Sequence, residues 1–332
     1  IPVSITLGIA SVLPSVFDPS FTVGAKYLIR AMFGGLDSFP LLAVPMFVLS
    51  GIIMAKGGIS KKLFDVFAFF LGNFTAGMPC AVIVTCLFYG AISGSAPATV
   101  AAVGSMTIPI LSALGYDRTF STAIVAVAGG LGVIIPSIPF IMYGMASGAS
   151  VSSLFLAGVI PGLMIGLLLM LYAIYHCRRY GEDREKIHAE IHLLHEKGLF
   201  RVLRESFFAL LSPVIILGCI YSGIASPTEA AVISVFYALF VSLFLYRTMK
   251  FRDIPPIFVE AIRTFTPILF ILAASTAFSR VLTLMQVPQA VSSFILEHFN
   301  SPVMILLVIN LFLLIVGMVM DTTPAILILT PI

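Results

Sequence analysis

The sequence predicts an all-α polytopic membrane protein whose helices are in places broken at membrane depth and whose halves repeat one another. Three observations predict it. Of 332 residues, 60% are hydrophobic and only 10% charged, with a mean hydropathy of +1.13; a soluble domain carries about 25% charge. Most of the chain falls into apolar stretches near the ~20 residues that a spanning helix needs, and the ~10-residue alternating segments of a β-barrel are absent. Lastly, a Pro/Gly cluster at Gly90–Thr99 recurs 227 residues later at Gly317–Ala325.

Residues 1–17 read as the remnant of a first span. Residues 18–38 carry Asp18, Lys26, Arg30 and Asp37 among apolar residues, which suits an interfacial amphipathic helix. A span over 39–55 contains Pro40 and Pro45. Gly57-Gly58 ends it, and Ser60 is expected to cap a helix to about Asn73, with Lys61 and Lys62 as interface anchors. The apolar arms 77–92 and 98–113 are each about 16 residues, short for a crossing. They predict a re-entrant helical hairpin with its tip at 93–97. Residues 119–148 contain Gly129-Gly130, Gly132, Pro136 and Pro139. Each proline removes a donor and clashes with the preceding turn, so a discontinuous helix is predicted, 119–134 then 140–147. Spans follow at 151–175, 205–225, 230–246 and 257–279, then a helix at about 288–298. The apolar run 301–319 leads into the second break.

Charge is concentrated between the spans. Residues 176–205 hold seven Lys/Arg, six Asp/Glu and four of the five His, and Arg247, Lys250 and Arg252 form a second basic connection. Both favour the cytoplasmic side. His176, His188, His192 and His195 read as scattered linker residues, since no Cys shares their spacing. Cys80, Cys86, Cys177 and Cys219 read as small core residues rather than a disulfide framework. Arg263 and Arg280 flank a span, as interface anchors or as salt-bridge partners of another subunit. The net charge of +3 carries no signal for nucleic acid. The chain opens at Ile1 on a short apolar stretch and stops at Ile332 just past a break, so both ends read as truncated.

Residues 38–105 align with 265–332 without a gap. Only eight of the 68 positions are identical, but Pro40/Pro267, Gly90/Gly317, Pro97/Pro324 and Ala98/Ala325 are among them. Proline and glycine are costly inside a helix, so their alignment at matching breaks points to a duplication. An odd number of crossings per repeat makes the repeats inverted, and inverted repeats bring two hairpin tips to the midplane from opposite sides.

Broken backbone at membrane depth is tolerated where protein buries it or a watery cavity meets it. Helix starts near Pro97, Pro139 and Pro324 are expected to point at one place, where unpaired N–H groups favour a carboxylate. Ser95, Thr322 and Thr323 can cap these helices or offer hydroxyls, and Pro97 suits a first turn. Unwound carbonyls with Ser and Thr hydroxyls suit a small cation. One sodium site is expected between Ser93-Gly94-Ser95 and Ile135-Pro136-Ser137, and a second between Asp321-Thr322-Thr323 and a segment not contained in this chain. Asp321 is the one acid at a break; it neutralises a cation, carries a proton or caps the helix. Glu229 reads first as a helix-start acid.

The motifs Leu36–Pro45, Ser93-Gly94-Ser95-Ala96-Pro97-Ala98-Thr99, Ile135–Pro139, Ser226-Pro227-Thr228-Glu229 and Met320–Ala325 resemble, in order and along the whole chain, the large membrane subunit of tripartite ATP-independent periplasmic (TRAP) transporters. The family is similar to other elevator-type ion transporters. The resemblance implies a scaffold, 1–76 and 205–298, and a moving transport domain, 77–175 (hairpin 77–113, broken helix 119–148) and 299–332, with 176–204 as a charged linker. It implies a multi-pass protein of the bacterial inner membrane that imports an organic acid with sodium, two or more ions. Its implied partners are a small four-helix membrane subunit and a soluble periplasmic substrate-binding protein. The chemistry of the breaks makes Ser95, Pro97, Ala98, Thr99, Thr322, Thr323 and Pro139 the expected site residues for substrate. For sodium they are Ser93, Gly94, Ser95, Ile135, Pro136, Ser137, Asp321 and Thr322. Two departures from the family pattern stand out: Ser137 and Ile138 separate Pro136 from Pro139, and the final quarter of the family is absent. The tip Ala96-Pro97-Ala98-Thr99 looks more like the dicarboxylate-type members than the sialic-acid ones.

A stand-alone elevator carrier without a binding protein is the alternative. An enzyme is not expected: a rhomboid-type protease needs Gly-x-Ser-Gly, and Ser93 follows Ala91 and Ile92. An ATP-driven pump needs a GxxxxGK[ST] loop, which the chain lacks. A channel would build its filter from rings of an oligomer.

Overall fold

The computed structural model describes residues 2–17, 24–134, 137–299, 301–320 and 322–330, and every regular element among them is helical. Seven helical stretches among the described residues are long and apolar enough to cross a membrane: Phe39–Lys56, Ala96–Ala113, Arg118–Ser147, Val151–Tyr180, Leu199–Tyr221, Pro227–Leu245 and Phe251–Leu284. The chain is a multi-pass membrane protein. It forms two compact units, one of Ile1–Leu41, Ile141–Ala149 and Arg263–Ile332, the other of Leu42–Phe140 and Ser150–Ile262. These units are groups packed together in one conformation. The division into scaffold and transport domain concerns which parts move, and it stays a proposal.

In the larger unit, α3 (Ala43–Lys56) follows a 3₁₀ turn over Phe39–Leu42, where Pro40 cannot donate. Helix α4 (Ile59–Leu71) then starts one residue before the predicted cap. Gly58, at φ +73°, holds the N-cap position, and Ser60 is buried inside the first turn. The cap expected of Ser60 is therefore corrected: the left-handed turn needs glycine, and the helix begins where that turn ends. Helices α5 (Gly77–Ser93) and α6 (Ala96–Ala113) are joined by two residues and pack on each other as a hairpin. Next come α7 (Arg118–Gly129), a 3₁₀ turn at Gly130–Val133 and α8 (Ile138–Ser147). The broken helix thus loses α-helical winding at Gly130, earlier than 134, because two adjacent glycines loosen it before the prolines do. Ile135 and Pro136 lie outside the described residues.

Helix α9 (Val151–Tyr180) is 30 residues long, about 45 Å at 1.5 Å per residue, so it outruns a ~30 Å hydrocarbon layer. Helix α10 (Arg184–Glu196) occupies the charged linker. Helix α11 (Leu199–Tyr221) begins six residues before the expected span, since its first turns are the amphipathic end of that linker. Helix α12 (Pro227–Phe240) opens on a capping box between Ser226 and Glu229, the structural role read for Glu229, and closes in a π-helical turn over Val241–Leu245.

The non-membrane ends of this unit gather on one face. The Ala76 N–H and the Tyr116 hydroxyl both donate to Glu182, each at 3.0 Å. Thr248 Oγ1 donates to the Gly57 carbonyl at 2.8 Å. The Glu182 side chain is only 6% exposed and also faces Arg184 at 3.3 Å. Burial, with this carboxylate beside it, pushes the Tyr116 hydroxyl far above its ordinary pKa. One side chain of the charged linker thereby pins both ends of the hairpin. His176 lies flat on Phe120, ring centroids 3.9 Å apart, a packing role. The four cysteines are free thiols, three of them buried.

In the smaller unit, α2 (Ala25–Leu36) packs through Leu28, Ala31 and Met32 on Ala277 and Val281 of α13 (Ile254–Leu284). Residues 18–23 of the expected amphipathic helix lie outside the described residues. Helices α14 (Val287–His298), α15 (Pro302–Val319) and α16 (Thr322–Leu329) follow. Shifted by 227, α4 falls on α14 and α5 on α15 within two residues at each end.

Candidate functional site

The first tip is built by the chain itself. Gly94 ends α5 at φ +60°, and its N–H bonds back to the Gly90 carbonyl at 2.9 Å; a residue with a Cβ is strained there. Ser95 turns the backbone into an extended conformation and takes the N-cap position of α6, but its side chain makes no capping bond. Thr99 serves the turn instead. Its N–H donates to the Ser95 carbonyl at 3.0 Å and its Oγ1 to the same carbonyl at 2.9 Å. Ser93 Oγ and Thr99 Oγ1 share a hydrogen bond of 2.9 Å. Ser93, Gly94 and Thr99 are buried, Ser95 and Ala98 half-buried, and Pro97 exposed.

The start of α8 meets this tip. The Ile138 N–H donates to the Gly94 carbonyl at 3.2 Å, and Ser137 Oγ caps α8 by accepting from the Phe140 N–H at 3.3 Å. Ser137 and Pro139 are buried. The 3₁₀ turn before the break lies against the hairpin so closely that a Cβ on Gly90 would collide with the Gly132 backbone, and one on Gly132 with Thr99 Oγ1. On the other flank, a Cβ on Gly51 of α3 would sit 3.1 Å from the Ser93 Cβ, and Tyr89 donates its buried hydroxyl to the Gly51 carbonyl at 2.7 Å.

The structure therefore brings Ser93, Gly94, Ser95, Thr99 and Ser137 together: hydroxyls, unwound carbonyls and two helix N-termini, with no ionised side chain among them. Such a set can offer hard oxygen ligands to a small cation and N–H groups to an anion. Sequence reasoning misses Tyr89 and Gly51, and it reads Gly132 as a helix breaker without its contact to the hairpin. A glycine facing a break in another helix was the only available hint.

The second tip is described by itself. Helix α15 ends on Met320 in extended conformation, its N–H bonded to the Val316 carbonyl at 2.8 Å, and α16 resumes at Thr322. Thr323 and Pro324 are buried and Thr322 is exposed. Asp321 lies outside the described residues.

Seven apolar helical stretches among the described residues, a hairpin that turns on polar residues and a helix broken opposite it define a multi-pass membrane protein. Comparison with known proteins gives the family. The model of the tripartite ATP-independent periplasmic transporter DctM component matches residues 1–332, and the chain belongs to that family. It is 39% identical over 333 residues to an isethionate TRAP transporter permease protein DctMQ of Oleidesulfovibrio alaskensis, covering all of this chain and 51% of the relative. It is 40% identical over 329 residues to a C4-dicarboxylate TRAP transporter large permease protein of Pseudomonas aeruginosa, 98% of this chain and 75% of the relative. A 2,3-diketo-L-gulonate TRAP transporter large permease protein of Escherichia coli is 36% identical over 312 residues, 92% of this chain and 71% of the relative. The chain thus spans about half the length of the first relative and three quarters of the second. All three relatives are transporter permeases, which agrees with the expectation that the chain is not an enzyme.

Proposed function

We propose that the chain is the core of the large membrane subunit of a carrier that imports a small organic acid, a C4-dicarboxylate or a sugar acid, into a bacterial cell across the inner membrane. The relatives' names cover isethionate, C4-dicarboxylates and 2,3-diketo-L-gulonate, all small organic anions. The observation that carries the reading is the junction of the first tip with α8. An unwound, buried, hydroxyl-lined turn without ionised groups faces a second helix start through Ile138 and Gly94. Polar backbone at that depth is a liability in a purely structural helix.

Sodium drives the import in this reading. One ion is held by Ser93, Gly94 and Ser95 with Ile135, Pro136 and Ser137, and another by Asp321 and Thr322 in the second tip. Substrate contacts fall on Ser95, Pro97, Ala98, Thr99 and Pro139, and separately on Thr322 and Thr323. Elevator motion carries 77–175 and 299–332 against 1–76 and 205–298. A small four-helix membrane subunit and a periplasmic binding protein complete the assembly. The name DctMQ, and the 51% of that relative which this chain covers, fit a permease that has the small subunit on the same chain.

The test is uptake of labelled C4-dicarboxylates and sugar acids by the full-length protein with its small subunit in liposomes. An inward sodium gradient is applied, with and without the cognate binding protein. The expected result is uptake that needs both, with Ser93→Ala lowering the apparent sodium affinity and Asp321→Asn abolishing coupling. Uptake on sodium alone would replace the tripartite reading by a stand-alone carrier. Uptake indifferent to sodium would remove the ion sites.

A further inference from the structure

Away from the tips, a cleft of about 440 Å³ opens on the linker face of the larger unit. Its walls come from the α3–α4 turn at Gly57 and Gly58, the first turns of α11, and the end of α12 with the connection behind it. Three cations line it: Lys62, Arg201 and Arg204. Glu205 is the one acid in the lining. It accepts from Lys62 Nζ at 2.7 Å and from Arg201 Nε at 3.1 Å. Two cations therefore share one carboxylate, and Arg204 is exposed with no partner among the described residues. The cleft is left two positive charges in excess, on side chains held close together.

The rest of the lining is apolar or aromatic: Phe208, Leu245 and Tyr246. The order along the helices is informative. Helix α11 bears its last charge at Glu205 and is apolar from Phe207 onward. The stretch from Pro227 to Tyr246 carries no charge after Glu229, and Arg247 comes directly behind it. Both helices thus leave the hydrocarbon at the level of this cleft, with cations just outside and apolar side chains just inside. That is the depth of a phospholipid phosphate, and basic pockets between helices at the cytoplasmic surface take anionic headgroups. The many Lys and Arg of this face, from Lys56 to Arg252, place it on the cytoplasmic side. Guanidinium forks match phosphate oxygens in pairs, and Arg204 has its fork free.

We propose that this cleft is a binding site for the phosphate of an anionic phospholipid in the cytoplasmic leaflet, with Arg201, Arg204 and Lys62 as its cations and Phe208 and Leu245 against the first part of the acyl chains. Lipid at this place ties the α3–α4 turn to the start of α11 and the end of α12.

The test titrates the full-length protein, purified with its small subunit in a neutral detergent, with phosphatidylglycerol while following thermal unfolding. Phosphatidylcholine with the same acyl chains, and inorganic phosphate, serve as separate arms. Phosphatidylglycerol is expected to raise the unfolding midpoint saturably, and phosphatidylcholine and inorganic phosphate much less. Arg204→Gln and Arg201→Gln should each weaken half-saturation about fivefold, one charge's share at a lipid surface. Raised salt should weaken it further. Arg118→Gln, an exposed cation at the start of α7 and outside the cleft, should leave it unchanged. The proposal is overturned if the two arginine variants titrate like the parent, or if Arg118→Gln weakens binding as much as they do. Equal stabilisation by phosphatidylcholine, or by inorganic phosphate, overturns it too: the first means an acyl-chain groove, the second a site for free anions. No response to phosphatidylglycerol also overturns it.

Discussion

The two tips stand 227 residues apart at matching Gly and Pro positions, and their chemistry differs. At the first, Ser93, Gly94, Ser95 and Thr99 close a hydrogen-bonded turn that is buried between α3, the 3₁₀ turn and α8. Their counterparts 227 residues on are Met320, Asp321, Thr322 and Ile326. The hydroxyl pair Ser93–Thr99 becomes Met320 and Ile326, which cannot form that bond. The helices leading in differ as well. Most of α5 is buried, whereas no α15 residue whose side chain is described is buried, though both are strongly apolar. Apolar composition says that a helix avoids water. What buries α5 is the close approach that small residues such as Gly90, Gly51 and Gly132 allow.

The largest expected effect comes from exchanging the paired glycines. Gly90→Ala forces a methyl group into the Gly132 backbone and should destabilise by about 3 kcal/mol in thermal unfolding. Its counterpart Gly317→Ala meets open space inside a helix and should stabilise by about 0.5–1 kcal/mol. Equal effects at both would break the comparison. Next is the anchor of the first hairpin. Glu182→Ala strips the Ala76 N–H and the Tyr116 hydroxyl of their acceptor and should lower stability by about 2 kcal/mol. Amide exchange should then rise first at Ala76, not along α15. Ser93→Ala removes one hydroxyl of the first tip and should cost about 1 kcal/mol, measured by the same unfolding assay.

The smallest effect is at Asp65 on α4, whose counterpart on α14 is Ser292. Burial holds its carboxyl above the ordinary 3.8, against the pull of Lys61, Lys62 and Lys197. A folded-state value above the unfolded one means stability that is full below 3.8 and is lost as pH rises through the raised value. Asp65→Asn should therefore raise the unfolding midpoint at pH 7 and leave it unchanged near pH 3.

Much of this was legible in the residues. Gly94 and Pro97, three positions apart, mark the first tip because the glycine suits a helix end and the proline a first helical turn, and Pro139 marks a helix start because its ring cannot follow a helical turn. Local rules do not show what lies across from what. Tyr89 reads as one more apolar residue until Gly51 is seen beside it. Glu182 reads as linker charge until the two ends of the hairpin are found on its carboxylate. Ser60 looks like a cap only while Gly57-Gly58 is taken as an ending; the left-handed Gly58 also starts the next helix.

The Tyr89 hydroxyl on the Gly51 carbonyl has a kinetic side. In the proposed cycle, α3 stays with the scaffold while α5 travels, so this bond must part on every stroke. In that cycle a directional bond beside a glycine-smoothed surface would act as a detent, holding the carriage at one stop without roughening the track. Tyr89→Phe would release the stop and leave the rail intact, so residence at that station shortens while the path between stations stays the same.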